Sequence, residues 1–214
     1  MTTYQQIHLH SRPTGEPTAD NFKLVEATLP ALDDGQVLVR HHFLSLDPYM
    51  RGRMNDSKSY AAPQPLGAVM QGGTVGEVVE SRHPKYKTGD AVVGMGGWQE
   101  YSVVNANQPG ALKVVDTTHV PLSHYLGAVG MPGVTAWYGL VKIIAPKAGE
   151  TVVVSAATGA VGSAFVALAG ALEKVCFCLA CPISPTLIQV GCEDMHCRPM
   201  FPGGRVHGRA LRSP

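Results

Sequence analysis

From Gln36 to Leu46 the residues follow a period of two, which predicts a β-strand with Val37, Val39, His41 and Phe43 on one face and Leu38, Arg40, His42 and Leu44 on the other. Thr74–Glu80 and Ala91–Val93 read the same way, and Trp98–Val104 and Ala111–Val115 supply further short β segments. Lys87-Thr88-Gly89-Asp90 is a turn cluster between two of them. Short strands separated by frequent glycines predict an all-β module over residues 1–120, shaped as a partly open barrel.

The period changes at Pro121. Leu122–Val129 and Thr135–Ile144 carry apolar residues at helical spacing, with Gly130-Met131-Pro132-Gly133 read as the turn between two helices. Thr151-Val152-Val153-Val154-Ser155 is a β-branched run of the kind found in a strand covered on both faces. A glycine-bearing turn, Ala156–Gly162, and a helix over Ser163–Ala169 follow. The fold class is therefore α/β with a β-rich N-terminal part.

Beyond residue 169 no period of 2 or 3.6 persists, and prolines, glycines and arginines scatter along the chain. All five cysteines, Cys176, Cys178, Cys181, Cys192 and Cys197, fall in this stretch. Residues 170–214 are expected to be an aberrant or disordered tail, arising from a deletion or frameshift, with no second parallel strand. Zinc modules present paired ligands at regular spacing, and these cysteines do not.

With 17 basic against 16 acidic residues and a formal net charge of +1, the chain carries no electrostatic footprint for nucleic acid or an anionic membrane. The charge-free stretch Thr151–Leu172 is broken by Thr158, Gly159, Gly162 and Ser163 and reads as strand, turn and helix rather than a membrane span. The first 20 residues lack the apolar core of a secretory leader, so a cytoplasmic protein with a small-molecule partner is expected.

Strand, glycine turn and helix in that order are the context a dinucleotide-binding fingerprint requires. Gly159 lets the backbone approach a pyrophosphate, Gly162 lets the helix pack on the strand, and free amides at the helix N-terminus face the anion. Ala156 stands where the usual pattern has its first glycine. A tight strand-to-helix connection without a ligand accounts for the same letters.

Four segments occur in the order seen in one family: Ser45-Leu46-Asp47-Pro48-Tyr49-Met50-Arg51-Gly52-Arg53-Met54, Gly89-Asp90-Ala91-Val92-Val93-Gly94, Gly130-Met131-Pro132-Gly133-Val134-Thr135-Ala136-Trp137-Tyr138-Gly139-Leu140, and Ala156–Ser163. Over residues 1–168 the chain resembles the zinc-independent medium-chain dehydrogenase/reductases, specifically the NADPH-dependent alkenal/one double-bond reductases that include prostaglandin and curcumin reductases. The resemblance implies a GroES-like substrate domain over 1–120 and the start of a Rossmann NADPH-binding domain over 121–169. It implies reduction of the activated C=C bond of an enone or enal by hydride from NADPH and, in the full-length family, a homodimer.

By the same resemblance Gly159, Ala160, Val161 and Gly162 contact the cofactor's pyrophosphate, and Met131, Pro132 and Thr135 lie on the nicotinamide side of the cleft. Tyr49 sits at the substrate pocket, where its hydroxyl could polarise a carbonyl oxygen. As a residue alone, Tyr49 reads equally as a packed aromatic in a Pro-Tyr turn. Arg51 and Arg53 read as solvated loop cations, or as a draw for phosphate.

No metal is expected. The zinc-dependent relatives use cysteine and histidine ligands, whereas residues 1–175 lack cysteine and the segment from Gly67 to Gly76 lacks histidine. His8 with His10, and His41 with His42, have no third ligand. Because a full Rossmann domain needs two βαβαβ halves, the residues after Glu150 are expected to form an incomplete one. Lys174 follows Gly162 too closely to reach an adenosine ribose and is given no role. Two alternatives to the reductase stand beside it: a non-catalytic remnant or β-domain interaction module, and a zinc-free quinone reductase.

Overall fold

A computed structural model describes residues 3–59, 61–147, 150–171, 176–181 and 184–190. The chain divides into two compact units between Leu126 and Gly127. The 3-10 turn Leu122–Leu126 packs on β4 and β5 of the first unit, defined below, and so belongs with it.

The first unit is an antiparallel half-barrel. Five strands, β3 (Gln36–Leu44), β4 (Thr74–Ser81), β5 (Ala91–Gly94), β6 (Tyr101–Asn105) and β7 (Leu112–Val114), form one sheet in the order β6-β3-β4-β5-β7. A hairpin of β1 (Thr3–Leu9) and β2 (Phe22–Thr28) pairs from Thr3 opposite Thr28 to Leu9 opposite Phe22. The β1 backbone also bonds to the chain at Ala68–Met70 and at Trp98–Glu100, through Leu9 N–H to Ala68 O (3.1 Å) and Ile7 N–H to Trp98 O (2.8 Å). These ties fix β1, with its Gln5, Gln6 and His8, into the unit.

Val37, Val39, Val78, Tyr86, Val92 and Leu112 form the main core, with the Tyr86 hydroxyl donating to the Leu112 carbonyl at 2.8 Å. The period-of-two reading of β3 buries Val37 and Val39 as expected but departs from the structure at two other positions. Leu38, placed on the outer face, is buried, and Phe43, placed on the inner face, is 52% exposed. Against β4 the register runs from His41 opposite Gly76 to Phe43 opposite Val75. The extra residue is a bulge at His42, which re-aims every side chain beyond it.

Tyr49–Arg53, read from sequence as a turn, is a one-turn helix, α1. Met50 and Met54, one turn apart, are both buried, and Met54 joins Leu9 and Met70 in a second cluster flanked by Phe22 and Trp98.

In the second unit the expected turn Gly130–Gly133 is instead the start of helix α2 (Met131–Trp137). Proline is tolerated in a first helical turn because its missing N–H has no partner there in any case. Gly133 packs so closely on the Ala128 carbonyl that a Cβ would overlap it. A π-helical stretch, Tyr138–Ile144, continues α2 and ends at Ala145 in the left-handed region (φ 45°). The helix expected over Leu122–Val129 is only the short 3-10 turn in the first unit.

Strand β8 (Thr151–Ser155) leads into helix α3 (Ala160–Ala171), and Val152, Val154, Leu140 and Ala169 form the buried cluster between them. A second parallel strand does follow: β9 (Cys176–Cys181) pairs with β8 from Thr151 opposite Cys176 to Ser155 opposite Ala180. A strand in a parallel pair need not alternate apolar and polar residues, which is why periodicity gives no sign of it. β10 (Ser184–Val190) then turns back antiparallel on β9. Lys174, Cys192 and Cys197 lie outside the described residues.

Candidate functional site

The residues singled out by sequence fall in both units, Tyr49 in the first and Met131, Pro132, Thr135 and Gly159 to Gly162 in the second.

In the first unit the exposed segments around β1 leave a concavity of about 260 Å³ lined by Val69, Met70, Gln71, Met95, Gly96, Gly97 and Gln99. A chain of amides holds this wall. Gln99 donates through Nε2 to the Gly96 carbonyl (2.7 Å), and its Oε1 accepts from Gln6 Nε2 (2.8 Å). The Gln6 amide nitrogen also donates to the Tyr4 hydroxyl (2.8 Å), and its Oε1 faces His8 Nε2 at 2.9 Å. An amide oxygen can only accept, so His8 is the donor and its Nε2 carries the proton.

Behind Gly96 stands His41. A Cβ on Gly96 would overlap the imidazole and the Thr74 hydroxyl, so the wall is bare backbone laid against a ring. The Gly96 N–H donates to Thr74 Oγ1 at 3.0 Å, and His41 Nε2 lies 2.8 Å from Ser102 Oγ. Burial, with the nearby His42 adding to it, lowers the His41 pKa from 6.5 to about 4. His41 is thus a neutral packing group at neutral pH. The sequence reading of His41 and His42 on opposite faces gave no hint of this role.

Tyr49, half-buried, opens α1. Neither sequence reading of Arg51 fits. Its Nε and Nη2 donate to the Gly15 carbonyl (2.9 and 2.7 Å), Nη2 reaches the Pro13 carbonyl (3.3 Å) and Nη1 donates to Asn55 Oδ1 (2.6 Å). A half-buried guanidinium tied to three acceptors of its own chain is neither a free loop cation nor an open phosphate site. Arg53 likewise reaches the Ala62 carbonyl (3.3 Å).

In the second unit α2 packs on α3, which brings the segment holding Met131, Pro132 and Thr135 beside the helix that Ala160, Val161 and Gly162 open. Pro132 is buried, while Met131 is 60% exposed and Thr135 is also exposed. The Thr135 hydroxyl donates back to the Met131 carbonyl at 2.8 Å, so its proton is committed and its lone pairs remain.

The loop before α3 is closely packed at Gly162. A Cβ on Gly162 would overlap the Ala156 carbonyl and come within 2.8 Å of Ala157 Cα. The Gly159 N–H is used inside the loop, donating to the Ala156 carbonyl at 2.9 Å. The N–H groups of Ala160, Val161 and Gly162 carry no backbone hydrogen bond among the described residues, as the first turn of a helix requires. Ala156 sits at φ 52°, a conformation that favours glycine.

This geometry has counterparts. Residues 5–112 match the family described as the N-terminal domain of oxidoreductase. The NADPH-dependent curcumin reductase of Escherichia coli K12 is 52% identical over 155 residues, 72% of this chain and 44% of that protein. Rat prostaglandin reductase 1 is 41% identical over 174 residues, 76% of this chain and 51% of that protein. The chain belongs to the medium-chain dehydrogenase/reductases.

The crystal structure of CurA from Vibrio vulnificus in complex with NADPH superposes with a TM-score of 0.74 at 46% identity, covering 83% of this chain and 51% of that one. This reductase-family chain spans about half the length of the curated relatives it matches. Among the described residues no group of three or more His, Cys, Asp or Glu could hold a metal ion, and no helix is long and apolar enough to cross a membrane.

Proposed function

We propose that the protein works as an NADPH-dependent reductase of the activated C=C bond of enones and enals. The observation that carries this reading is the β8–loop–α3–β9 unit, in which Gly162 lies against Ala156 and three first-turn amides have no backbone acceptor among the described residues. A side chain at 162 would collide with the Ala156 carbonyl and Ala157 Cα and displace the loop. The donor set suits a diphosphate, because a helix N-terminus presents N–H groups and a positive partial charge to an anion. The Gly159 amide is committed within the loop, so Ala160, Val161 and Gly162 supply the donors and Gly159 supplies clearance.

When bound, NADPH supplies hydride to the carbon β to the substrate carbonyl. The protein's own contribution is placement. Met131 and Thr135 offer an exposed thioether and a hydroxyl acceptor on the nicotinamide side, and buried Pro132 fixes the first turn that holds them. Tyr49 donates a hydrogen bond to the substrate carbonyl oxygen, where negative charge accumulates as hydride arrives.

The test is direct. The chain holds two tryptophans, Trp98 in the first unit and Trp137 in the second. Quenching of their fluorescence by NADPH at micromolar concentration, with NADPH oxidation on adding enones in preference to quinones, is the expected result. Absence of quenching up to millimolar NADPH overturns the reading, and a preference for quinones overturns the substrate class.

A further inference from the structure

A five-residue helix is too short to persist by its own hydrogen bonds, since nucleation is unfavourable and so few bonds follow it. α1 is held from outside. Arg12 Nη1 donates to the carbonyl of Met54, which caps the helix (2.8 Å), and the Gln64 N–H donates to the Arg53 carbonyl (2.7 Å). Gln64 is itself only 1% exposed and binds the Val69 carbonyl through Nε2 (2.9 Å) and the Gln71 N–H through Oε1 (3.1 Å). These two ties fix the end of the helix.

Arg51, two residues after Tyr49 in the same turn, supplies a third tie. Its fork spans the carbonyls of Pro13 and Gly15 on the loop between β1 and β2 and the Asn55 amide oxygen after α1. Arg12 reaches from that loop to α1, and Arg51 reaches from α1 to that loop, so the two segments are cross-tied in both directions. A lysine ammonium is a point donor on a flexible stem and cannot span three acceptors held in a planar fork.

We propose that Arg51 is a positioning residue for Tyr49: by clamping α1 to the Pro13–Gly15 loop it fixes where the Tyr49 ring stands, and through it the affinity for the enone. The second half of this statement rests on the reductase reading, the first does not.

The experiment uses the full chain labelled with 3-fluorotyrosine, as wild type, Arg51→Lys, Asn55→Ala, Tyr49→Phe and Arg51→Lys/Tyr49→Phe. The fluorine resonance lost in Tyr49→Phe marks position 49. In Arg51→Lys it is expected to narrow and move toward the free amino acid, and in Asn55→Ala, which removes one tie and spares the fold, to move less in the same direction. Tyr86, buried and bonded to the Leu112 carbonyl, serves as the internal control and keeps its shift. A stationary resonance at 49 in both variants, or a Tyr86 resonance that moves with it, overturns the proposal.

In turnover, Arg51→Lys is expected to raise KM for the enone about tenfold and leave KM for NADPH unchanged, with the double variant no worse than Tyr49→Phe. Additive losses, or equal losses for both substrates, overturn the coupling. If even the wild type oxidises no NADPH with enones, the reductase reading falls, and the fluorine shift still decides whether Arg51 places Tyr49.

Discussion

The two units are held together by different means. In the first, side-chain hydrogen bonds join residues far apart in sequence, as Gln6 to Gln99 (93 positions) and Arg51 to Pro13 (38 positions) do. In the second, the side-chain hydrogen bonds of the described residues stay within four positions, as in Thr135 to Met131 and Ser163 to Ala160. Among the described residues its tertiary order rests on one apolar cluster and on backbone laid against backbone at Gly133 and Gly162. A unit built by long polar ties loses them one at a time. A unit built on a small core and close approach has few places to yield, and those places coincide with the proposed cofactor cradle.

The largest effect that would test this contrast is at Leu140. It is fully buried against Val152, Val154 and Ala169, and Leu140→Ala should destabilise the second unit by about 3 kcal/mol. Unfolding followed by Trp137 should shift to lower denaturant while the Trp98 transition stays in place. Coincident shifts of both would show that the units do not unfold independently and would dissolve the comparison.

Gly162→Ala comes next. The added methyl meets the Ala156 carbonyl and Ala157 Cα, both backbone, so the loop must move. The expected cost is about 2 kcal/mol of stability and roughly a hundredfold in NADPH affinity, measured by fluorescence titration. Gly159→Ala, whose methyl would lie 3.3 Å from the Ala156 carbonyl, should cost less stability and serves as the graded control. Equal effects at the two glycines would argue against a cradle shaped by Gly162.

In the first unit the corresponding probe is pH. His41 has a pKa near 4 when folded against 6.5 when unfolded, so between those values the unfolded chain binds more protons. The stabilisation is complete above pH 6.5 and is lost as pH falls through 4, in total roughly 3 kcal/mol. Urea unfolding followed by Trp98 in a Trp137→Phe background should show that slope, and His41→Gln should flatten it. An unchanged slope would place the acid sensitivity elsewhere.

How much of this was legible depended on where the controlling interaction lay. The β8–turn–α3 segment was readable because its information is local: a β-branched run, a glycine turn and a helix follow one another. The alternation of Val37 and Val39 was readable for the same reason. Phe43 was misplaced because a bulge depends on the partner strand and leaves no mark in the bulged one. Arg51 was misread because its acceptors are backbone carbonyls, which every residue has and no sequence pattern advertises. β9 lacked a period because a strand in a parallel sheet needs none.

The smallest effect concerns Ala156, where sequence and geometry disagree most sharply. The usual pattern puts glycine at this position, and the backbone keeps the glycine conformation, φ 52°, with alanine in place. An L-residue in the left-handed region carries about 1 kcal/mol of strain. Against that, glycine widens the conformational freedom of the unfolded chain, which offsets part of the relief. Ala156→Gly should therefore stabilise the second unit by no more than about 0.5 kcal/mol, seen as a slightly later Trp137 transition, and should leave NADPH affinity unchanged or improved. A loss of stability on Ala156→Gly would mean that the alanine methyl makes contacts worth more than the strain, and that the loop is held by packing at 156 rather than by the close approach at Gly162.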